Sequence, residues 1–175
     1  LLWKVKPKQW YGWPDYSGAD SLSGENYKAR EIRPKSLLLK EPGRVQKPVA
    51  VFGVHSSANG FDFSTSQNFG YTGDAFIAQF GDMSPDVGTI YGPVGFKVVR
   101  VNVSNGDIAD FAVNQGHVNG PASSLKKGGL ERPVAVKFSK DGNTMYIVDF
   151  GVLEVTEKGQ APKQSTGVIW KITKK

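Results

Sequence analysis

The stretch from Gly129 to Gly151, GLERPVAVKFSKDGNTMYIVDFG, decides the fold. Val134, Val136 and Phe138 alternate with Ala135 and Lys137, the period-two pattern of a half-buried strand. Asp141-Gly142 is a strong short-range hairpin signal, because glycine takes positive φ without steric cost. Met145-Tyr146-Ile147-Val148 then returns as a second strand. Arg132-Pro133 stands just before the first strand, where a missing N–H does least harm. Asp149-Phe150-Gly151 closes the second. The stretch therefore reads as two antiparallel strands joined by a tight turn.

Working outward, residues 152–166 are polar and loop-like, and Gly167-Val168-Ile169-Trp170-Lys171-Ile172 is the final strand. Upstream, residues 114–128 read as loop. Phe96 to Val103, FKVVRVNV, is the most convincing strand in the chain. Asn105-Gly106 predicts a type I′ turn into a strand over residues 107–113. Asp74 to Gly81 and Phe61-Asp62-Phe63 are further strand candidates. Pro48 to Val54, PVAVFGV, reads as a fully buried strand, and Leu2 to Lys6 alternates as a short one. Nothing resembles a long amphipathic helix.

Composition agrees with an all-β protein rich in turns: the 175 residues include 21 Gly and 10 Pro, with 39% hydrophobic and 11% aromatic content. That length suffices for one domain with a core. No apolar run approaches a membrane span. The absence of cysteine excludes disulfides, thiolate metal sites and thiol nucleophiles. Leu1-Leu2-Trp3 opens the chain without Met, which suggests a processed or excised piece.

The net charge of +6 lies mostly in residues 1–47, which hold ten Lys and Arg against five Asp and Glu. These charges are scattered, and no aromatic-basic register suggests base stacking. A solvated basic face is expected rather than a nucleic-acid site. The same region contains QWYGWPDYSG, with four aromatics between Trp10 and Tyr16. Such density on a Gly/Pro-punctuated loop has two readings. It is a hydrophobic plug over a sheet end, the commoner case, or its rings line a site that stacks a flat cofactor or a sugar. Residues 19–47 read as a long surface excursion anchored by Leu37-Leu38-Leu39.

The strand pattern repeats over residues 48–113 and again over 133–172. GFKVVRV corresponds loosely to GVIWKIT and to LLWKVK, each an apolar-basic strand that ends its unit. Units of roughly 40–50 residues with four strands suggest propeller blades. The expected architecture is part of a β-propeller of about two and a half blades, whereas a closed ring needs roughly four to eight. The division is 1–47 as a blade end plus a basic surface excursion, 48–113 as one blade and 129–175 as the last. The remaining blades then belong to another chain or another segment.

The order YGWPDYSG, HSSANGFDFS, GDAFIAQFG, GFKVVRVNV, ERPVAVKFSKDGNTMYIVDFG and GVIWKIT resembles the C-terminal half of the glucose/sorbosone dehydrogenase family. The resemblance spans nearly the whole chain and implies a soluble six-bladed propeller that oxidises sugars with pyrroloquinoline quinone. It implies that the catalytic His and most calcium ligands lie in an N-terminal half. It also implies a periplasmic or secreted location. In the family the aromatic of the YGWP loop faces the central cofactor site, which here is Trp13, with Tyr11 beside it. For Trp13 the other reading is packing within a blade. His55 and Gly60 match a His and Gly before the next strand. A lone His at a strand end is more often a hydrogen-bonded structural residue.

Arg132 matches an Arg that pairs with the cofactor's carboxylates. A planar guanidinium suits that task because it makes two parallel hydrogen bonds to a carboxylate. The competing reading of Arg132 is a surface ion pair with Glu131 or Asp149. Two departures stand out. Gly81 occupies the place of a quinone-contacting Lys, and Val134 that of a second Arg. Each missing charge-assisted hydrogen bond removes roughly 1.5–3 kcal/mol.

Other chemistry is sparse. His55 and His117 lack metal-ligand spacing. Asp82-Met83-Ser84-Pro85-Asp86 offers oxygens of the kind calcium takes, although acidic loops in β-proteins usually form turns. No glycine loop for phosphate precedes a helix, and no serine elbow is legible. The expectations are a quinone-dependent sugar or aldehyde dehydrogenase or, as alternative, a non-catalytic propeller module for protein or carbohydrate.

Overall fold

The structure is a computed structural model that describes residues 1–23, 35–86 and 92–174. The chain divides into two compact units, Leu1–Val51 and Phe52–Lys175. All regular structure among the described residues is β. No helix long and apolar enough to cross a membrane occurs among them.

Among its described residues the first unit holds one minimal hairpin, β1 (Tyr16–Ser17) with β2 (Asp20–Ser21). Side chains replace sheet as its organiser. Trp3 meets Tyr11 edge-to-face at 5.1 Å, and Trp10 meets Tyr16 at 5.4 Å. The buried Asp15 carboxylate accepts from Ser36 Oγ at 2.5 Å, Leu37 N at 2.7 Å and Leu38 N at 2.9 Å. These bonds tie the aromatic loop to the turn of Leu37-Leu38-Leu39. The Ser36 hydroxyl and the Leu37 amide, with burial opposing and the Leu38 amide helping, hold this carboxyl below the ordinary value.

The strands expected over Leu2–Lys6 and Pro48–Val54 shrink to one bridge between Leu2 and Ala50. Pro48 and Gly53 punctuate the second run, Val51 and Val54 are exposed, and no neighbouring strand extends the bridge into a ladder. Part of the expected surface excursion, residues 24–34, lies outside the described residues.

Among its described residues the second unit carries two larger sheets and a two-stranded one. β3 (Ala58–Phe63), β4 (Ala75–Gln79), β5 (Lys97–Val101) and β6 (Ile108–Ala112) form a four-stranded antiparallel meander in chain order. β7 (Pro133–Phe138), β8 (Thr144–Asp149) and β11 (Val168–Thr173) form a three-stranded antiparallel sheet in the order β11-β8-β7. Between β8 and β11 stands a separate hairpin, β9 (Leu153–Thr156) with β10 (Gly159–Pro162). That hairpin corrects the loop expected over 152–166. Leu153 and Val155 alternate with exposed Glu154 and Thr156 and supply just enough strand pattern.

The Gly129–Gly151 hairpin forms as its sequence predicts. Gly142 takes φ 70° in the turn, donates its N–H to Ser139 O at 2.8 Å, and the Asp141 carboxylate accepts from Ser139 Oγ at 2.6 Å. The Asn105-Gly106 turn differs from expectation. Gly106 alone of the pair has positive φ, so the connection is a longer loop in which Asn102 N donates to Asp107 O, not a type I′ turn.

One core joins the sheets. Phe76, Ala78 and Val98 from the four-stranded sheet meet Val136, Phe138, Met145 and Ile147 from the other. Phe76 is fully buried and sits edge-to-face with Phe111 at 4.7 Å and near Phe138 at 5.4 Å. β3 and β7 approach most closely at Gly60, where a Cβ would lie 2.8 Å from Ala135 Cα and from Val134 O. Glycine is therefore required inside that strand by the neighbouring backbone. Asp62 bridges the same junction, accepting from Phe138 N at 2.9 Å and pairing with Lys137 Nζ at 2.9 Å.

Candidate functional site

Arg132 occupies the entry to β7, where both neighbouring segments fix its backbone. The buried Asp149 carboxylate accepts from Glu131 N and Arg132 N at 2.8 Å each, from Gly151 N at 3.0 Å and from Trp170 Nε1 at 3.4 Å. Phe150 N donates to Arg132 O at 3.0 Å. The loop before it is held by buried Asn114, which accepts from Leu130 N at 2.8 Å and donates to the carbonyls of Gly120 and Leu130 at 2.9 Å. A carboxylate and an amide thus set the position from which the arginine side chain starts.

The Arg132 side chain then runs inward, and the residue is 4% exposed. Its guanidinium carbon lies 4.9 Å from the centroids of both Phe80 and Phe96, so the cation stacks between two rings. Nη1 donates to Asp82 O at 2.9 Å and reaches Phe80 O at 3.5 Å. Nε is buried without a hydrogen-bond partner among the described residues. Burial lowers the guanidinium pKa, and the negative charges of Asp82 and Glu131 oppose that. An arginine stays protonated regardless. The ion pairs read from sequence do not form. Glu131 turns its carboxylate to Ser123 N and Oγ at 2.6 and 2.9 Å, and Asp149 takes the arginine's amide rather than its guanidinium.

Arg132 lines a hollow of about 330 Å³ together with Ser84, Phe96, Pro93, Pro121, Ser124 and Leu153. Asp82 also borders it, but its oxygens accept from Ser84 N at 3.1 Å and Val94 N at 2.9 Å. The lining therefore combines a buried cation, two hydroxyl-bearing serines and an apolar surround. That donor set fits a carboxylate, the group a guanidinium binds best. It fits one carboxylate of a quinone tricarboxylate, because Arg132 is the one cation among the described residues lining the hollow. The Asp82–Asp86 loop fits calcium poorly. Asp82 serves backbone amides, Asp86 Oδ2 accepts from Gln160 Nε2 at 2.7 Å, and no cluster of three or more His, Asp or Glu suited to a metal occurs among the described residues.

Of the other predicted residues, His55 lies outside this hollow's lining. His55 is exposed on a turn before β3 with φ 66°. The residues after it reach the Arg132 neighbourhood through the backbone, since Gly81 N donates to Ser56 O and Phe80 N to Ser57 O. Tyr11 and Trp13 belong to the first unit. The Tyr11 hydroxyl accepts from Lys6 N at 2.7 Å and donates to Lys4 O at 3.2 Å, so it anchors the chain's own start. Trp13 is 82% exposed, and its carbonyl accepts from Trp10 Nε1 at 2.9 Å.

Sequence reasoning passed over Phe80, Phe96 and Ser124, and gave Asp149 and Ser84 other roles, an ion pair and a calcium-type loop. Two of these carry a local signal: Phe80 and Phe96 flank strands beside glycines Gly81 and Gly95. No protein-family model, curated protein or solved structure matches this chain.

Proposed function

We propose that this chain is part of a β-propeller acting as a quinone-dependent sugar or aldehyde dehydrogenase, with Arg132 holding a cofactor carboxylate. The observation that carries the reading is the buried Arg132, its guanidinium stacked between Phe80 and Phe96 with Nε unpartnered among the described residues, a residue that lines an open hollow. A buried polar atom without a partner costs free energy unless a ligand or water satisfies it. Two antiparallel meanders sharing one aromatic core support the blade assignment, and the order of motifs supports the family.

Bound pyrroloquinoline quinone would supply the acceptor for the hydride that leaves the alcohol or hemiacetal carbon of an aldose. The chain's own part is binding and orientation. Phe80 and Phe96 hold the guanidinium between their rings and shield it from water, which strengthens its attraction for a carboxylate. Asp149 fixes the backbone from which it projects. Ser84 and Ser124 offer hydroxyls to the same ligand. The remaining carboxylates, any calcium and the proton acceptor fall to the remaining blades, on another chain or segment. Trp13, with its ring in solvent, is available to stack a flat ligand; Tyr11 is committed to its own backbone.

The alternative is a non-catalytic propeller module that binds protein or carbohydrate. One observation favours it: Nη1 fastens the Phe80–Asp82 segment, so Arg132 has structural work even without a ligand. Titration with the quinone, followed by tryptophan fluorescence, separates the two. Saturable quenching in the micromolar range that is lost in Arg132→Ala, with the circular dichroism of the variant unchanged, supports the dehydrogenase. Absence of quenching by folded wild-type protein contradicts it.

A further inference from the structure

Between β8 and β11 the chain leaves its sheet to make the β9–β10 hairpin and returns beside the point of departure. A Cβ on Gly151 would lie 2.5 Å from Thr166 C and 2.6 Å from Gly167 N, so the two limbs of this neck meet backbone to backbone. Val152 N donates to Thr166 Oγ1 and Lys163 N to Val152 O, each at 2.9 Å, which closes the neck on itself. Its root is fixed by Asp149, whose Oδ1 accepts from both Gly151 N and Arg132 N. Beyond that root the hairpin belongs to neither larger sheet. β9 and β10 pair with each other alone, and no residue from Val152 to Gly167 is buried. Among the described residues one hydrogen bond ties the two strands to the rest of the unit, Gln160 Nε2 to Asp86 Oδ2 at 2.7 Å, between exposed side chains. Half-buried Leu153 and Val155 nevertheless line the Arg132 hollow, together with Ser84, two residues before Asp86.

We propose that the β9–β10 hairpin is a flap over the Arg132 hollow, pivoting at the neck between Gly151 and Gly167 and latched by Gln160 on Asp86. A segment with few buried contacts and exposed hydrogen bonds opens locally, at a fraction of the free energy of global unfolding. Released, the flap uncovers the hollow for an incoming ligand. Latched, it lays Leu153 and Val155 against the apolar part of that ligand and excludes water, which strengthens the pull of the guanidinium on a carboxylate. Because one carboxylate, that of Asp149, holds both the root of the flap and the Arg132 amide, the hairpin swings while the cation stays in place. Such a flap matters if the hollow takes a ligand, as proposed above. Its motion is read without one, so a failure of the quinone to bind and a failure of the flap to move are told apart.

The test uses the whole chain, which has no cysteine of its own. Ser84→Cys places a single thiol on the lining of the hollow, and Ser104→Cys places one on the exposed turn between β5 and β6 as a control. Labelling by a bulky maleimide is expected to be about tenfold or more slower at Ser84→Cys than at the control. Adding Gln160→Ala removes the latch. It is expected to speed labelling at Ser84→Cys by about threefold or more, the weight of one net hydrogen bond, and to leave Ser104→Cys unchanged. Hydrogen exchange of the unmodified chain reads the motion itself. The β9 and β10 amides are expected to exchange at least about tenfold faster than those of β8, and with weaker dependence on mild urea, since local opening exposes little surface. Equal labelling of the two thiols, labelling of Ser84→Cys unaffected by Gln160→Ala, or β9 and β10 amides as protected and as urea-sensitive as those of β8 would each overturn the proposal.

Discussion

β4 and β8 are the central strands that face each other's sheets, yet they are built differently. β4 reads AFIAQ, and every residue in it is buried. β8 reads TMYIVD, with Met145, Ile147 and Asp149 buried while Val148 is exposed. A strand apolar throughout needs cover on both faces, whereas an alternating one needs cover on a single face. The same contrast appears between Ile77, 2% exposed, and Ile169 on β11, 68% exposed. β4 and β5 are thus the buried centre of the four-stranded sheet, flanked by the partly exposed β3 and β6. Among the described residues the three-stranded sheet is half-covered, and no strand pairs with the outer edge of β11.

The sharpest way to break this contrast is one substitution made at both sites. Ile77→Lys buries an unpaired charge and is expected to lose about 3–5 kcal/mol, enough to unfold much of the protein. Urea denaturation of the second unit's core reads it. Next in size is Asp149→Ala, which strands the amides of Glu131, Arg132 and Gly151 without their acceptor. A loss of about 3 kcal/mol is expected, at 1.5–3 kcal/mol for a charge-assisted bond with partial relaxation of the rest. If Asp149→Ala costs less than about 1 kcal/mol, the arginine's backbone is not held as described.

Acid stability probes the junction between the sheets. Burial raises the Asp62 carboxyl, but the Phe138 amide, the Lys137 ammonium and the Phe63 amide lower it more, so it ends below the ordinary 3.8. A depressed folded pKa means that the contribution is complete above the ordinary value. It drains as pH falls through 3.8 toward the lower folded value. Asp62→Asn is expected to flatten the acid limb of a stability–pH curve, and an unaltered limb would remove Asp62 from the junction. The smallest effect is expected from Ile169→Lys, within about 0.5 kcal/mol of wild type. A large loss there would mean that the outer face is covered after all.

Some of this was legible in the sequence. The Gly129–Gly151 hairpin was, because alternation and Asp141-Gly142 are local signals. β4, β5 and β11 were legible as apolar runs bounded by glycine. The run over 48–54 misled, since apolar residues specify a strand only when a partner strand is at hand. The start of β3 was hidden by Gly60, which weakens a strand in isolation and is demanded here by Ala135. The Arg132 environment was the least legible part. Its acceptors on Phe80 and Asp82 lie 52 and 50 residues away in the chain, and its second ring, Phe96, comes from another loop. A sequence offers nearby carboxylates as partners; only the fold brings distant carbonyls and ring faces.

The most direct measurement is the NMR signal of the Arg132 Nε–H, identified by its loss in Arg132→Lys. A buried N–H without a protein partner should be visible in the free protein and shift when the quinone saturates the hollow and a carboxylate engages the guanidinium. A signal that stays fixed at saturating quinone would contradict the account.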